Sequence, residues 1–230
     1  MKEEKENKSN DSFYLNHPTE DKTYQIYLSS LVKGNKSQCN EIVTQAKDDY
    51  ASVKSLYTNL FQKSLYDIGR LWETNTISVA VEHMASAITE SLMNTIYADL
   101  EMAENNGFKA LITCTENEYH QIGAKMVSDI FEMHGWNTWF LGANTPANEL
   151  LQLLKEVEPH IIAISLSVYF HLPELKRMIL KIRQYDYHCP IIIGGQAFNH
   201  ASGQDFSHQF TDVYYIESLD QLENFIQKKF

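Results

Sequence analysis

The apolar residues of this chain change period once, at Asn105-Asn106-Gly107, and that change divides the fold in two. Before it, from Tyr24 to about Met102, there is no proline, and apolar side chains recur at helical spacing. They include Leu56, Leu60, Leu65, Ile68, Leu71, Val79, Met84, Ile88, Leu92 and Ile96. Such stripes must be buried against neighbouring helices, so a helical bundle is predicted over 22–104. Gly34 and the Glu73-Thr74-Asn75-Thr76 stretch are the expected breaks, with Asn75 or Thr76 capping the next helix. After the turn, short apolar runs alternate with amphipathic segments, the pattern of a parallel sheet with crossover helices. Strands are predicted at 108–114, 137–141, 161–168, 190–193 and 213–216, and helices near 122–134, 146–157, 172–185 and 218–229. Five βα units over 105–230 predict an open doubly wound sheet that holds ligands at the carboxyl ends of strands, where the strand order reverses.

Residues 1–21 are polar and charged, and a disordered arm is expected there. With 30 acidic against 19 basic residues, the formal charge of −11 repels a phosphate backbone unless a basic patch overrides it. The densest positive features are the pairs Lys176-Arg177 and Lys228-Lys229, which read as solvated helix faces. Direct nucleic-acid binding is therefore not expected. Cys39, Cys114 and Cys189 are odd in number and widely spaced, which argues against a disulfide framework or a thiolate metal cluster. The N-terminus lacks the apolar core of a secretory signal and no run is long enough to span a bilayer, so no membrane association and a cytoplasmic location are expected.

The loops after strands one, three and four carry the chemistry. Loop one, Thr115 to Gly123, places a carboxylate, Glu118, two residues before His120. A ligand histidine needs its second ring N–H bonded to such a group, which fixes the tautomer and raises basicity. Alone, this loop reads sooner as a polar turn with Gly123 as a helix-entry glycine. In loop three, Ser165 and Ser167 end an apolar strand, where hydroxyls either bond a ligand or cap the strand. In loop four, Gly194-Gly195 removes side chains where a backbone approaches closely, as many turns do.

In this order the loops resemble the cobalamin (vitamin B12)-binding domain family, whose signature is Asp-or-Glu-x-His-x-x-Gly, then Ser-x-Leu, then Gly-Gly. Here these are Glu118-x-His120-x-x-Gly123, Ser167-Val168-Tyr169 with tyrosine in the leucine position, and Gly194-Gly195. Leu141-Gly142-Ala143-Asn144-Thr145-Pro146 is similar to the family's loop after strand two. The resemblance covers roughly 105–230 and implies a flavodoxin-like five-stranded parallel sheet. It also implies a corrinoid whose dimethylbenzimidazole tail leaves the cobalt and is buried between strands one and three. His120 would be the metal ligand from below, backed by Glu118. Gly123, Ser165, Ser167, Gly194 and Gly195 would be cofactor contacts, with Ser167 bonding the tail.

The bundle carries a second pattern, Trp72, nine residues, then Glu82-His83. On the residues alone, Trp72 reads as core and Glu82-His83 as a paired helix-surface group. The spacing resembles the light-sensing, adenosylcobalamin-dependent regulators of the CarH type. That implies a bundle over the upper corrin face, with Trp72, Glu82 and His83 lining the upper-ligand cavity. Glu73 stands where those regulators commonly carry a cobalt-capturing histidine, and the 21-residue arm is too short for their helix-turn-helix domain. A stand-alone, non-catalytic sensor is therefore expected. It would bind adenosylcobalamin base-off and His-on, respond to light, and signal through another regulatory protein or self-association as a homo-oligomer. The alternative is a corrinoid methyl carrier, loaded with methylcobalamin, serving a methyltransferase. A third possibility is a doubly wound domain binding an unrelated nucleotide or serving as a scaffold, but it lacks both a Gly-rich dinucleotide fingerprint and a phosphate-binding Gly-Lys-Ser/Thr loop.

Overall fold

The computed structural model describes residues 22–49, 52–185 and 187–230, so the arm expected over 1–21 lies outside the described residues. The chain divides into two units between Ala98 and Asp99. Residues 99–107 belong with the second unit because their backbone bonds there: Ala103 N donates to Met133 O at 3.2 Å and Asn106 N to Gly135 O at 2.9 Å.

The first unit is helical. It runs α1 (Lys22–Val32), α2 (Lys36–Asp49), α3 (Val53–Leu56), a π-helical turn (Tyr57–Gln62), α4 (Lys63–Glu73) and α5 (Val79–Tyr97). Gly34, at φ +68°, ends α1, and an added Cβ there would lie 2.6 Å from Met84 Sδ. Asn35 Oδ1 then accepts from Gln38 N and starts α2. The cap of α5 differs from expectation: Ser78, with extended backbone, accepts from Val81 N. Asn75 instead sits at φ 57°, and Thr76 N donates to Leu71 O, so these residues close α4 rather than open α5. Asparagine tolerates the left-handed conformation that a helix exit requires. The core holds Leu56, Leu60, Ile68, Leu71, Ile88, Leu92 and Ile96 as expected, together with Tyr27, Tyr57 and Phe61. Val79 and Trp72 lie outside it.

The second unit alternates β1 (Lys109–Cys114), α6 (Ile122–Met133), β2 (Asn137–Gly142), α7 (Ala147–Val157), β3 (Ile161–Ser165), α8 (Leu172–Gln184), β4 (Ile191–Gly194), α9 (Gly203–Ser207), β5 (Val213–Tyr215) and α10 (Leu219–Lys229). All neighbours pair in parallel in the order β2-β1-β3-β4-β5, the flavodoxin-like doubly wound arrangement. Strand alternation makes two cores. Ala110, Ile112, Cys114, Ile161, Ala163 and Ile192 pack with α6 and α10, while Leu111, Ile162, Ile164, Ile191 and Ile193 pack with α7 and α8. No helix among the described residues is long and apolar enough to cross a membrane.

Two features depart from the expected strand map. The short α9 is additional, and β3 ends at Ser165 rather than Val168. Leu166 N still donates to Gly194 O, but the next two amides turn away from the ladder to a carboxylate on loop one.

Candidate functional site

The order reverses between β1 and β3, so loops one and three leave the sheet side by side, with Cys114 and Ser165 as register partners. This is the point where a doubly wound sheet opens a crevice. Loop one is pinned to loop two, since Asn117 N donates to Asn144 Oδ1 at 2.8 Å and Asn144 N to Glu118 O at 2.7 Å. Both asparagines take positive φ, a conformation their short polar side chains tolerate. Gln121 Oε1 adds a third tie by accepting from Ala143 N at 3.0 Å.

Glu118 is wholly buried at this junction. Its Oε1 lies 2.5 Å from His120 Nδ1 and accepts from His120 N at 2.9 Å. Its Oε2 accepts from Ser167 N at 2.8 Å and Val168 N at 2.9 Å. Burial pushes the carboxyl upward, but bonds from the His120 ring, the His120 amide and the Val168 and Ser167 amides outweigh it and hold the group at about 2. The carboxylate is therefore ionised at neutral pH. With Nδ1 engaged as the donor to it, Nε2 is the ring atom whose lone pair can serve a metal. The His120 side chain is 51% exposed, so the imidazole is anchored through Nδ1 while part of its body reaches the surface.

The donor set narrows the ligand. No group of three or more His, Cys, Asp or Glu among the described residues could hold a metal ion. A lone imidazole suits a metal that arrives with its other positions already filled, as cobalt does in a corrin. There is space beside Gly123, where an added Cβ would meet only Ser165 Oγ, at 3.9 Å. Thr115, buried where β1 ends, carries a hydroxyl with no hydrogen-bond partner among the described residues, an orphan of the kind that a bound group satisfies. These residues fit the group implied by the sequence.

Gly194 and Gly195 have a reason inside the chain. A Cβ on Gly195, at φ +112°, would lie 2.2 Å from Leu166 O, and one on Gly194 would lie 2.7 Å from Ile216 O. These glycines let the ends of β3, β4 and β5 close together beneath the crevice.

In the helical unit, Trp72 is 46% exposed near the end of α4, which rules out the core reading of that residue. Glu82 and His83 lie in the first turns of α5, with His83 Nδ1 2.5 Å from Glu82 Oε2 and Ser86 Oγ donating to Glu82 Oε1 at 3.0 Å. The His83 ring is 74% exposed, whereas the Glu82 side chain is 14% exposed. Sequence reasoning missed the second arm of Glu118, whose partners are 49 and 50 positions away. It also missed the Asn117, Gln121 and Asn144 ties, for which asparagine in loops was the sole available signal.

A doubly wound sheet with a carboxylate-backed imidazole at its switch point defines a cofactor-binding domain. The B12 binding domain family profile matches residues 108–223, and a second B12 binding domain profile matches residues 24–97. The chain belongs to this family and is a cobalamin-binding protein. It is similar to two Myxococcus xanthus proteins, the HTH-type transcriptional repressors CarA and CarH. Identity with CarA is 33% over 89 residues, 39% of this chain and 31% of the relative. Identity with CarH is 24% over 135 residues, 58% and 44%. The methanol–corrinoid protein of Methanosarcina barkeri is 29% identical over 127 residues, 51% of this chain and 46% of the relative. The chain thus spans less than half the length of each of these relatives. The monomethylamine corrinoid protein of Methanosarcina barkeri shares the fold, with a TM-score of 0.75 at 14% identity over 88% of this chain and 96% of that one.

Proposed function

We propose that this cobalamin-binding protein is a sensor that takes adenosylcobalamin base-off and His-on, and answers light by changing its association with itself or with a regulatory partner. The observation that carries the reading is buried Glu118 holding the His120 imidazole at the β1/β3 switch point. His120 Nε2 would hold the cobalt. Glu118 keeps the ring in the donor tautomer and raises its basicity. Ser167 would bond the cofactor's tail, with Gly123 and Ser165 beside it and Gly194-Gly195 closing the floor. In the helical unit, the exposed indole of Trp72 would exclude water from a bound cofactor, and Glu82 and His83 would offer hydrogen bonds. When bound, the cofactor supplies a cobalt–carbon bond that light can break.

The test is to mix apo-protein with adenosylcobalamin in the dark and record its visible spectrum and elution volume before and after green light, with His120→Ala alongside. The reading expects a base-off, His-ligated spectrum that light changes together with the association state, and loss of that ligation in the variant. A loaded protein indifferent to light in both readouts overturns the sensor.

The likeness to the methanol–corrinoid protein supports a second reading, a methyl carrier for a separate methyltransferase. Preference for methylcobalamin, with demethylation by a partner carrying a thiol substrate, distinguishes it.

A further inference from the structure

Glu118 divides its two oxygens between two loops. Oε1 serves His120, through the ring and the amide, and Oε2 serves the amides of Ser167 and Val168. Those two amides follow the last ladder bond of β3, from Leu166 N to Gly194 O, and the carboxylate gives them the acceptor that the sheet no longer provides. The turn then continues from the same tie, with Val168 O accepting from His171 N at 3.0 Å just before α8 begins. The Glu118 side chain has no exposed surface, so water does not compete for these bonds. The residue that orients the metal ligand therefore also sets the conformation of the loop bearing Ser167.

We propose that Glu118 is a two-armed positioning residue that serves both cobalt ligation by His120 and the seating of the corrinoid's nucleotide tail on loop three. This rests on the assignment of Ser167 to the tail. With both arms made, loop three is ordered before the tail arrives, and tail binding does not bear the cost of ordering it. With Glu118 removed, the Ser167 and Val168 amides lose their acceptor and the Ser167 hydroxyl loses its fixed place. Removing the His120 ring leaves the loop-three arm whole. The two residues are thereby separable: one serves the metal alone, the other serves both the metal and the tail.

The experiment uses the full chain without corrinoid and reads amide hydrogen exchange at Ser167 and Val168. It then titrates free dimethylbenzimidazole ribonucleotide, the tail without its cobalt, by amide chemical shifts. Wild type and His120→Ala should protect both amides alike and bind the nucleotide within about threefold of each other, whereas Glu118→Ala should exchange and bind about tenfold worse or more. Equal behaviour of Glu118→Ala and His120→Ala in both readouts overturns the dual role.

Should Glu118→Ala not fold, Glu118→Gln carries the test, because its single carbonyl oxygen can serve one arm only. Either the two amides lose protection, or the ring proton of His120 moves from Nδ1 to Nε2, read from imidazole nitrogen shifts. A glutamine variant that keeps both arms overturns the proposal. If wild type ignores the free nucleotide, the assignment of Ser167 to the tail fails, while the exchange comparison still decides whether Glu118 governs loop three.

Discussion

Among the described residues, two glutamate–histidine pairs share one contact, a ring Nδ1 2.5 Å from a carboxylate oxygen, but differ in what else holds the acid. Glu82 and His83 are neighbours on one helix. The His83 side chain is 74% exposed and that of Glu82 14%, and Glu82 also accepts from Ser86 Oγ, one turn further along the same helix. Glu118 and His120 sit on a loop, but the carboxylate is wholly buried and receives two further bonds from another loop. Sequence proximity alone brings an acid and an imidazole together. Holding the ring in one orientation and one tautomer takes bonds from elsewhere in the fold.

That contrast is sharpest for His120→Ala against His83→Ala. The first should weaken cobalamin binding about 100-fold or more and abolish the His-ligated spectrum, while the second should change affinity by less than about fivefold. Comparable losses in a visible titration would show that the helical pair is as fixed as the buried one. Next come the acids: Glu118→Gln should cost about 10–100-fold in affinity and Glu82→Gln about twofold.

A third difference lies in pH. Glu118 is held at about 2 against 4.5 for an ordinary glutamate, so its folded value is depressed. Its contribution is fully present above about 4.5 and is lost as pH falls through about 2. Urea midpoints of the apo-protein should fall across that window, and Glu118→Gln should show a shallower fall. An identical pH slope in the two proteins would mean that other carboxylates govern acid unfolding. The smallest effect is expected from Ser86→Ala, which removes a partly buried bond to Glu82 and should shift stability by less than about 1 kcal/mol in the same assay.

The sheet was legible because each strand is a short apolar run bounded by turn residues, and Ile161–Ile164 and Ile191–Ile193 are buried as such runs imply. Helix boundaries were less legible where one residue type serves opposite purposes. Asn75 is a good cap by composition, yet its backbone took the helix-exit role and left the start of α5 to Ser78. Val79 belongs to the apolar stripe on paper but lies at the first position of α5, 49% exposed. The π-helical turn over Tyr57–Gln62 has no periodic signature strong enough to announce it. In the candidate site, Glu118, His120, Gly123 and the Gly194-Gly195 pair were visible as an ordered set of short motifs, while the glycines' close approach to Leu166 O and Ile216 O was not.

The sequence by itself determined the two-part organisation, the alternation of strands and helices, and the membership of the cobalamin-binding family, because these are written in the period and order of neighbouring residues. Only the tertiary structure decided that β3 ends early, that Trp72 stays outside the core, and that one carboxylate joins loops nearly fifty residues apart. Those outcomes depend on which buried donors find acceptors once the chain has closed on itself, and no local pattern contains that information.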